Sequence, residues 1–183
     1  DVAMKGAVFS DLCKIEMEDG NLSFHETTGN IKVEMKDGDV SVHKAVFSST
    51  CKIEKQDGNI AFSDITGNFK IEMKDGHVAV CNATFDGTSK VEKHDGNLSF
   101  KDINGNVVVE MHDGNALVDC ARTKAKPFHV KVEVDEGAIE LNCPPDLSAQ
   151  VKVKVREGEI ETNLPLEIRK KEEGQEMEGT VGS

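Results

Sequence analysis

A chain of 183 residues with 37% hydrophobic content is long enough to bury one core and too apolar to read as disordered. Its 34 acidic residues outnumber 22 lysines and arginines, a formal net charge of -12, so the basic face that a phosphate backbone requires is missing and nucleic acid is argued against as a partner. Trp and Tyr are absent, Phe is the one aromatic, and no run of about 18 apolar residues is present that could insert into a membrane.

Residues 1–10, DVAMKGAVFS, show no charged stretch followed by an apolar one, so they do not read as a secretory leader and the chain reads as soluble. The stretch KIEMEDGNLSF at 14–24 then returns as KIEKQDGNIAF at 52–62 and as KVEKHDGNLSF at 90–100. Asp-Gly pairs fall at 19–20, 37–38, 57–58, 75–76, 95–96 and 113–114, so units of 18 and 20 residues alternate inside a 38-residue super-repeat.

Inside each unit the apolar period is two, the mark of short half-buried strands. Ile15, Val33, Ile53, Ile71, Val91 and Val109 share one position before the turn; Leu22, Val40, Ile60, Val78 and Leu98 share one after it, followed by Phe24, Val42, Phe62, Val80 and Phe100. Strand, Asp-Gly, strand suits either a hairpin with a type I′ turn or a solenoid that bends at that point. Like residues at like positions over six units favour the solenoid. The reading is an all-β, single-stranded parallel β-helix, with regular coils over 1–120 and irregular C-terminal coils plus a charged loop over 121–183. In that loosened part VKVEVDEGAIEL (130–141) and VKVKVREGEIETNLPLEI (151–168) read as two broader coils separated by a CPPD turn, and RKKEEGQEMEG reads as the loop.

Coils stacked about 4.8 Å apart turn repeated positions into columns. The Phe/Val column alternates large and small side chains, as an interdigitated core requires, and Met17, Met35, Met73 and Met111 fill a corner. Glu16, Glu34, Glu54, Glu72, Glu92 and Glu110 form an outward column whose repulsion is offset by Lys14, Lys32, Lys52, Lys70 and Lys90. Asp19, Asp37, Asp57, Asp75, Asp95 and Asp113 stack at one edge, several followed by Asn, and are the candidate Ca²⁺ column; the plain reading is turn chemistry, Asp for a side-chain hydrogen bond and Gly for positive φ. No other cofactor is implied.

His25 with His43 and His94 with His112 occupy equivalent positions on adjacent coils, without the spacing of a zinc site. Cys13 and Cys51 fall two coils apart, as do Cys81 and Cys120, and Cys143 lies in the irregular tail. No pair is expected to stack, which reads as free thiols and a reducing compartment, or as burial of the cysteines as small hydrophobes. The arginines, Arg122, Arg156 and Arg169, lie away from the carboxylate columns, and no G-x-S-x-G, phosphate loop or H-E-x-x-H is present, so the chain reads as no enzyme. A polysaccharide lyase is the alternative, because β-helices can carry a carboxylate cluster and a basic residue in one groove.

GNIKVEMKDGDVSV (29–42), repeated as GNFKIEMKDGHVAV (67–80), with LPLEI and the late MEGTVGS, resembles the adhesin-like β-helix family of bacterial proteins of unknown function, over nearly the whole chain. The resemblance implies a right-handed parallel β-helix, often attached to envelope proteins, and carries over no active residues. It departs in having Asp-Gly where the family more often has Ser-Gly or Thr-Gly, and in its cysteines. The expected function is a scaffold or binding module whose contact surface is the flat strip of Ser23, Ser41, Ala61, Ala79 and Ser99. A protein or glycan is the expected partner, or a second copy through faces or coil ends.

Overall fold

The computed structural model describes residues 1–121, 128–144 and 147–182; Arg122 and the centre of the CPPD turn, Pro145 and Asp146, lie outside the described residues. It contains no helix among these residues and about 8 turns of parallel β-solenoid. The first turn is β1 (Val2–Lys5) with β2 (Val8–Met17), both paired to β3 (Leu22–Met35). Above it stack β4 (Val40–Val46) with β5 (Cys51–Lys55), β6 (Ile60–Thr66) with β7 (Phe69–Met73), then β8 (Val78–Lys93) and β9 (Leu98–Asp113). β10 (Ala116–Cys120), β11 (Phe128–Asn142) and β12 (Ala149–Thr162) continue the parallel stack.

The columns read from sequence are the observed registers. Phe24 pairs with Val42, Val42 with Phe62, Phe62 with Val80 and Val80 with Phe100, and all five are buried. The ladder runs unbroken through the turns: Asp57 N–H donates to Lys36 O at 2.9 Å and Asp75 N–H to Gln56 O at 2.7 Å. Each coil therefore satisfies its backbone on its neighbours, which no single coil could do alone.

The Asp-Gly turn is one of three corners per coil. A second is a left-handed residue with φ of 52–56°, occupied by Glu26, Lys44, Asp64, Asn82 and Asp102. The third explains the 38-residue period. In the short coils it is a tight turn at Gly29, Gly67 and Gly105; in the long coils it holds two more residues and swings in Phe9, Phe47 and Phe85. Each tight-corner glycine lies on the phenylalanine of the coil before it, and a Cβ on Gly67 would meet the backbone oxygen of Phe47.

Volume is conserved by the wall around the extra ring. The long coil that adds Phe47 lines the core with Val42, Ala45 and Cys51, where the next short coil has Phe62, Ile65 and Phe69. Rings interlock within and across levels, Phe69 lying edge-on to Phe62 of its own coil at 5.2 Å and to Phe85 of the next at 5.3 Å. In the same wall Thr27 is buried and its Oγ1 has no hydrogen-bond partner among the described residues, where Ala45 and Ile65 stand in the coils above. Thr27→Val keeps the shape and removes the orphaned hydroxyl, so chemical denaturation is expected to show a gain of about 1 kcal/mol.

The charged segment expected as a loop is ordered differently. Arg169–Lys171 forms β13 and Gly174–Val181 forms β14, an antiparallel hairpin whose second strand lies antiparallel on β12 from Ala149↔Val181 to Val155↔Gln175. Met177 and Val181 point inward and are buried, so this strand covers the last coil's apolar edge and pairs its backbone. Among the described residues no helix is long and apolar enough to cross a membrane.

Candidate functional site

Three faces carry the residues that the sequence singled out. On the first, Lys32 reaches Glu34 at 2.5 Å, Lys70 reaches Glu72 at 2.5 Å and Glu92 at 3.3 Å, and Lys90 bridges Glu92 and Glu110 at 2.6 and 2.9 Å. With the bond from Lys52 to Glu54, these lysine hydrogen bonds hold the Glu34, Glu54, Glu92 and Glu110 carboxyls below the usual range. The column is a compensated ionic ladder. An open groove of about 720 Å³ runs along it, its walls setting glutamates such as Glu18 and Glu54 among Lys36, Lys55 and Lys74.

The second face holds the six turn aspartates. Asp57 Oδ1 accepts the N–H of Gly58 at 2.5 Å, the side-chain-to-backbone bond that such a turn uses, and His94 Nδ1 lies 3.0 Å from the Asp95 carboxylate, holding that carboxyl below the usual range. The residue after each Gly forms its own ladder. Asn21 Oδ1 accepts from Asp39 N–H at 3.0 Å, Asp39 Oδ1 from Asn59 N–H at 2.8 Å, Asn59 Oδ1 from His77 N–H at 3.3 Å, and Asn97 Oδ1 from Asn115 N–H at 3.1 Å. These side-chain oxygens are thus committed to joining one coil to the next. Among the described residues no group of three or more His, Cys, Asp or Glu side chains converges to hold a metal ion.

Positive charge reaches this edge from inside. Met35 and Met73 alternate in register with Lys55 and Lys93, both buried, and sequence reading passed over these two lysines because it followed the methionines. Lys55 Nζ donates to the carbonyls of Gly38 and Asp57, and Lys93 Nζ to those of Gly76 and Asp95. Each ammonium therefore sits beneath the aspartate edge of its own and the preceding coil.

Burial pushes the Lys93 pKa down to about 8, against the pull of Asp75 and Asp95. The unfolded chain holds that proton up to about pH 10.4. Between these values the unfolded state binds more protons, so this lysine's contribution to stability rises with pH across that window and is lost as pH falls through 8. Denaturation of wild type and Lys93→Met in parallel, from about pH 7 to 10, is expected to show wild type gaining on the variant.

The third face is the small-residue strip. Ser23, Ser41, Ala61, Ala79 and Ser99 stand in register on successive coils; the first four are exposed and Ser99 half-buried. Beside it His25 and His43 stack with ring centroids 5.1 Å apart, and His43 Nδ1 lies 2.7 Å from Ser63 Oγ; His94 and His112 form the other pair at 4.7 Å. Neither described arginine joins a carboxylate column: Arg156 pairs with Asp135 at 3.2 Å and Arg169 lies 3.8 Å from Glu167.

The expectation that no two cysteines meet is corrected. Cys13 is in register with Ile31, which separates it from Cys51's level. Cys120 and Cys143, however, sit on adjacent coils with their sulfurs 2.9 Å apart, both buried. Sequence spacing hid them, because they lie 23 residues apart where the repeat is 18 or 20.

No curated protein and no solved structure matches the chain significantly. A model of one uncharacterised family does, over residues 1–122 and again, in a shifted placement, over 29–183. Two overlapping placements are what a ladder of near-identical coils would give, and together they span the whole β-solenoid, which belongs to the Toastrack DUF4097 family.

Proposed function

We propose that this solenoid is a non-enzymatic binding module whose docking surface is the strip of Ser23, Ser41, Ala61, Ala79 and Ser99, and that the partner is a protein of net positive charge. The observation that carries the reading is the strip itself: small side chains in register on five successive coils of a parallel ladder, ending where Leu117 follows Ser99 in the same column. Such a surface is flat and stiff, and association there costs little ordering of side chains.

The chain's chemistry favours a protein over the other occupants. No Trp or Tyr exists, and seven of the eight phenylalanines are buried while Phe9 is half-buried, so the strip offers no ring on which a sugar could stack. A second copy would bring another -12 of charge and be repelled, whereas a basic partner would be steered in.

The test uses the full chain as bait, with Ala61→Arg/Ala79→Arg as the strip variant and Lys32→Ala/Glu34→Ala as the control on another face. A protein retained by wild type and control, lost with the strip variant, and bound again from purified components with affinity falling as salt rises, is the expected result. Retention indifferent to the strip, or turnover of an acidic polysaccharide by the purified chain, would overturn it; the latter would restore the lyase reading.

A further inference from the structure

We propose that Cys120 and Cys143 are an oxidisable dithiol that closes to an intramolecular disulfide by exchange with a small-molecule disulfide, stapling the coil that begins at β10 to the one above it. The geometry is already near that of a bond. The residues before them, Asp119 and Asn142, are register partners on adjacent parallel strands. Neighbouring strands lie about 4.8 Å apart, within the Cα separations of about 4.4–6.8 Å that disulfides span.

Both partners are held in place. Cys143 N–H donates to Asn163 Oδ1 at 3.0 Å, and Asn163 Nδ2 donates back to Cys143 O at 2.9 Å. On the Cys120 side, Asn142 Nδ2 donates to Asp119 Oδ1 at 3.0 Å and so ties the two coils beside the sulfurs. A surface cleft of about 610 Å³ is lined by both cysteines together with Asp102, Asp119, Asn142 and Asn163, so the pair lies at its floor rather than deep in the core. Cys13, Cys51 and Cys81 have no such partner.

The exchange balances in two steps. A thiolate of the pair attacks one oxidant sulfur, breaking the oxidant's S–S bond, leaving a mixed disulfide and releasing one thiolate. The second protein thiolate attacks the protein sulfur of that mixed disulfide, forming the Cys120–Cys143 bond and releasing the second. Two protein sulfurs are oxidised, two oxidant sulfurs are reduced, and the two thiol protons leave with the products. Hydrogen bonding with Cys143, then burial, holds the Cys120 thiol above its ordinary pKa, so closure is slower than reaction at the exposed Cys81.

The experiment treats the full chain carrying Cys13→Ser and Cys81→Ser, both outside the closed core, with oxidised glutathione near pH ~8, then maps thiols after quenching in denaturant. The expected product is a monomer lighter by two hydrogens, with Cys120 and Cys143 in one linked peptide. Its thermal midpoint should be higher by roughly 5–10 °C, reversed by dithiothreitol. Adding Cys143→Ser should abolish both the link and the rise. Cys120 and Cys143 both still alkylatable after oxidation, separate glutathione adducts on each, or a linked product that melts no higher would each overturn the proposal.

Discussion

Gly76→Ala is expected to lower stability by about 3–5 kcal/mol, a drop in thermal midpoint on the order of 10 °C for a chain of this size. Gly76 has φ of +107°, a conformation that only glycine adopts without strain. Its missing Cβ is also where the coil below presents a peptide: a methyl there would strike the Gly58 carbonyl oxygen and come within 2.7 Å of the Met73 Cε. Relief would require lifting one coil off the next, and the ladder bond from Asp75 N–H to Gln56 O, 2.7 Å, crosses that same step. The same stacking recurs from Gly38 to Gly158, so a strained turn cannot shift without displacing its neighbours. Denaturation of the variant beside Gly87→Ala makes the check. Gly87 has ordinary φ and meets only the side chain of Asn68, so a small effect there and a large one at Gly76 would locate the cost in the stacked turn.

Phe69→Ala is expected to cost about 3–5 kcal/mol. Phe69 is fully buried and lies edge-on to rings on both sides, with Phe62 at 5.2 Å in its own coil, Phe85 at 5.3 Å and Phe100 at 6.1 Å in the coils above. Truncation leaves a void between coils whose separation is fixed by the backbone ladder, so collapse around it is limited. Phe69→Leu, which refills most of the space, should cost far less than the alanine variant. Equal losses in the two would mean that the ring packing described here contributes little.

The architecture was legible because it is written in repetition. Asp-Gly steps of 18 and 20 residues and a period of two inside each unit set the columns, and the registers follow them from Ile15↔Val33 to Val91↔Val109. Two corners of each coil were not legible. Glu26 and Lys44 hold left-handed φ although neither residue type signals it, and the role of Gly67 appears only once Phe47 is beneath it. The alternation of unit lengths was visible in sequence, but its cause, an extra ring exchanged for smaller wall residues, needed three dimensions.

At the candidate site the lysine and glutamate columns were read correctly because charge and spacing are local. Lys55 and Lys93 were passed over because a buried ammonium breaks the apolar pattern that marks the core; only contact with turn carbonyls explains them. The Cys120 and Cys143 pair was missed because the step between β10 and β11 is wider than the repeat. The terminal hairpin was read as a loop because Lys171, Glu172 and Glu173 mask its alternation, while Met177 and Val181 alone face inward.

The most direct measurement is a distance along the strip. Ser23 and Glu161 are linked through Ser41, Ala61, Ala79, Ser99, Leu117 and Glu140 by register, seven coil steps apart. Spin labels at these two sites, with Cys13 and Cys81 replaced by Ser, should give one narrow distance by double electron resonance at about 34 Å, one strand spacing per coil. A distance near twice that, as an antiparallel meander of two strands per unit would give, or a broad distribution, would contradict the stacked solenoid and the strip built on it.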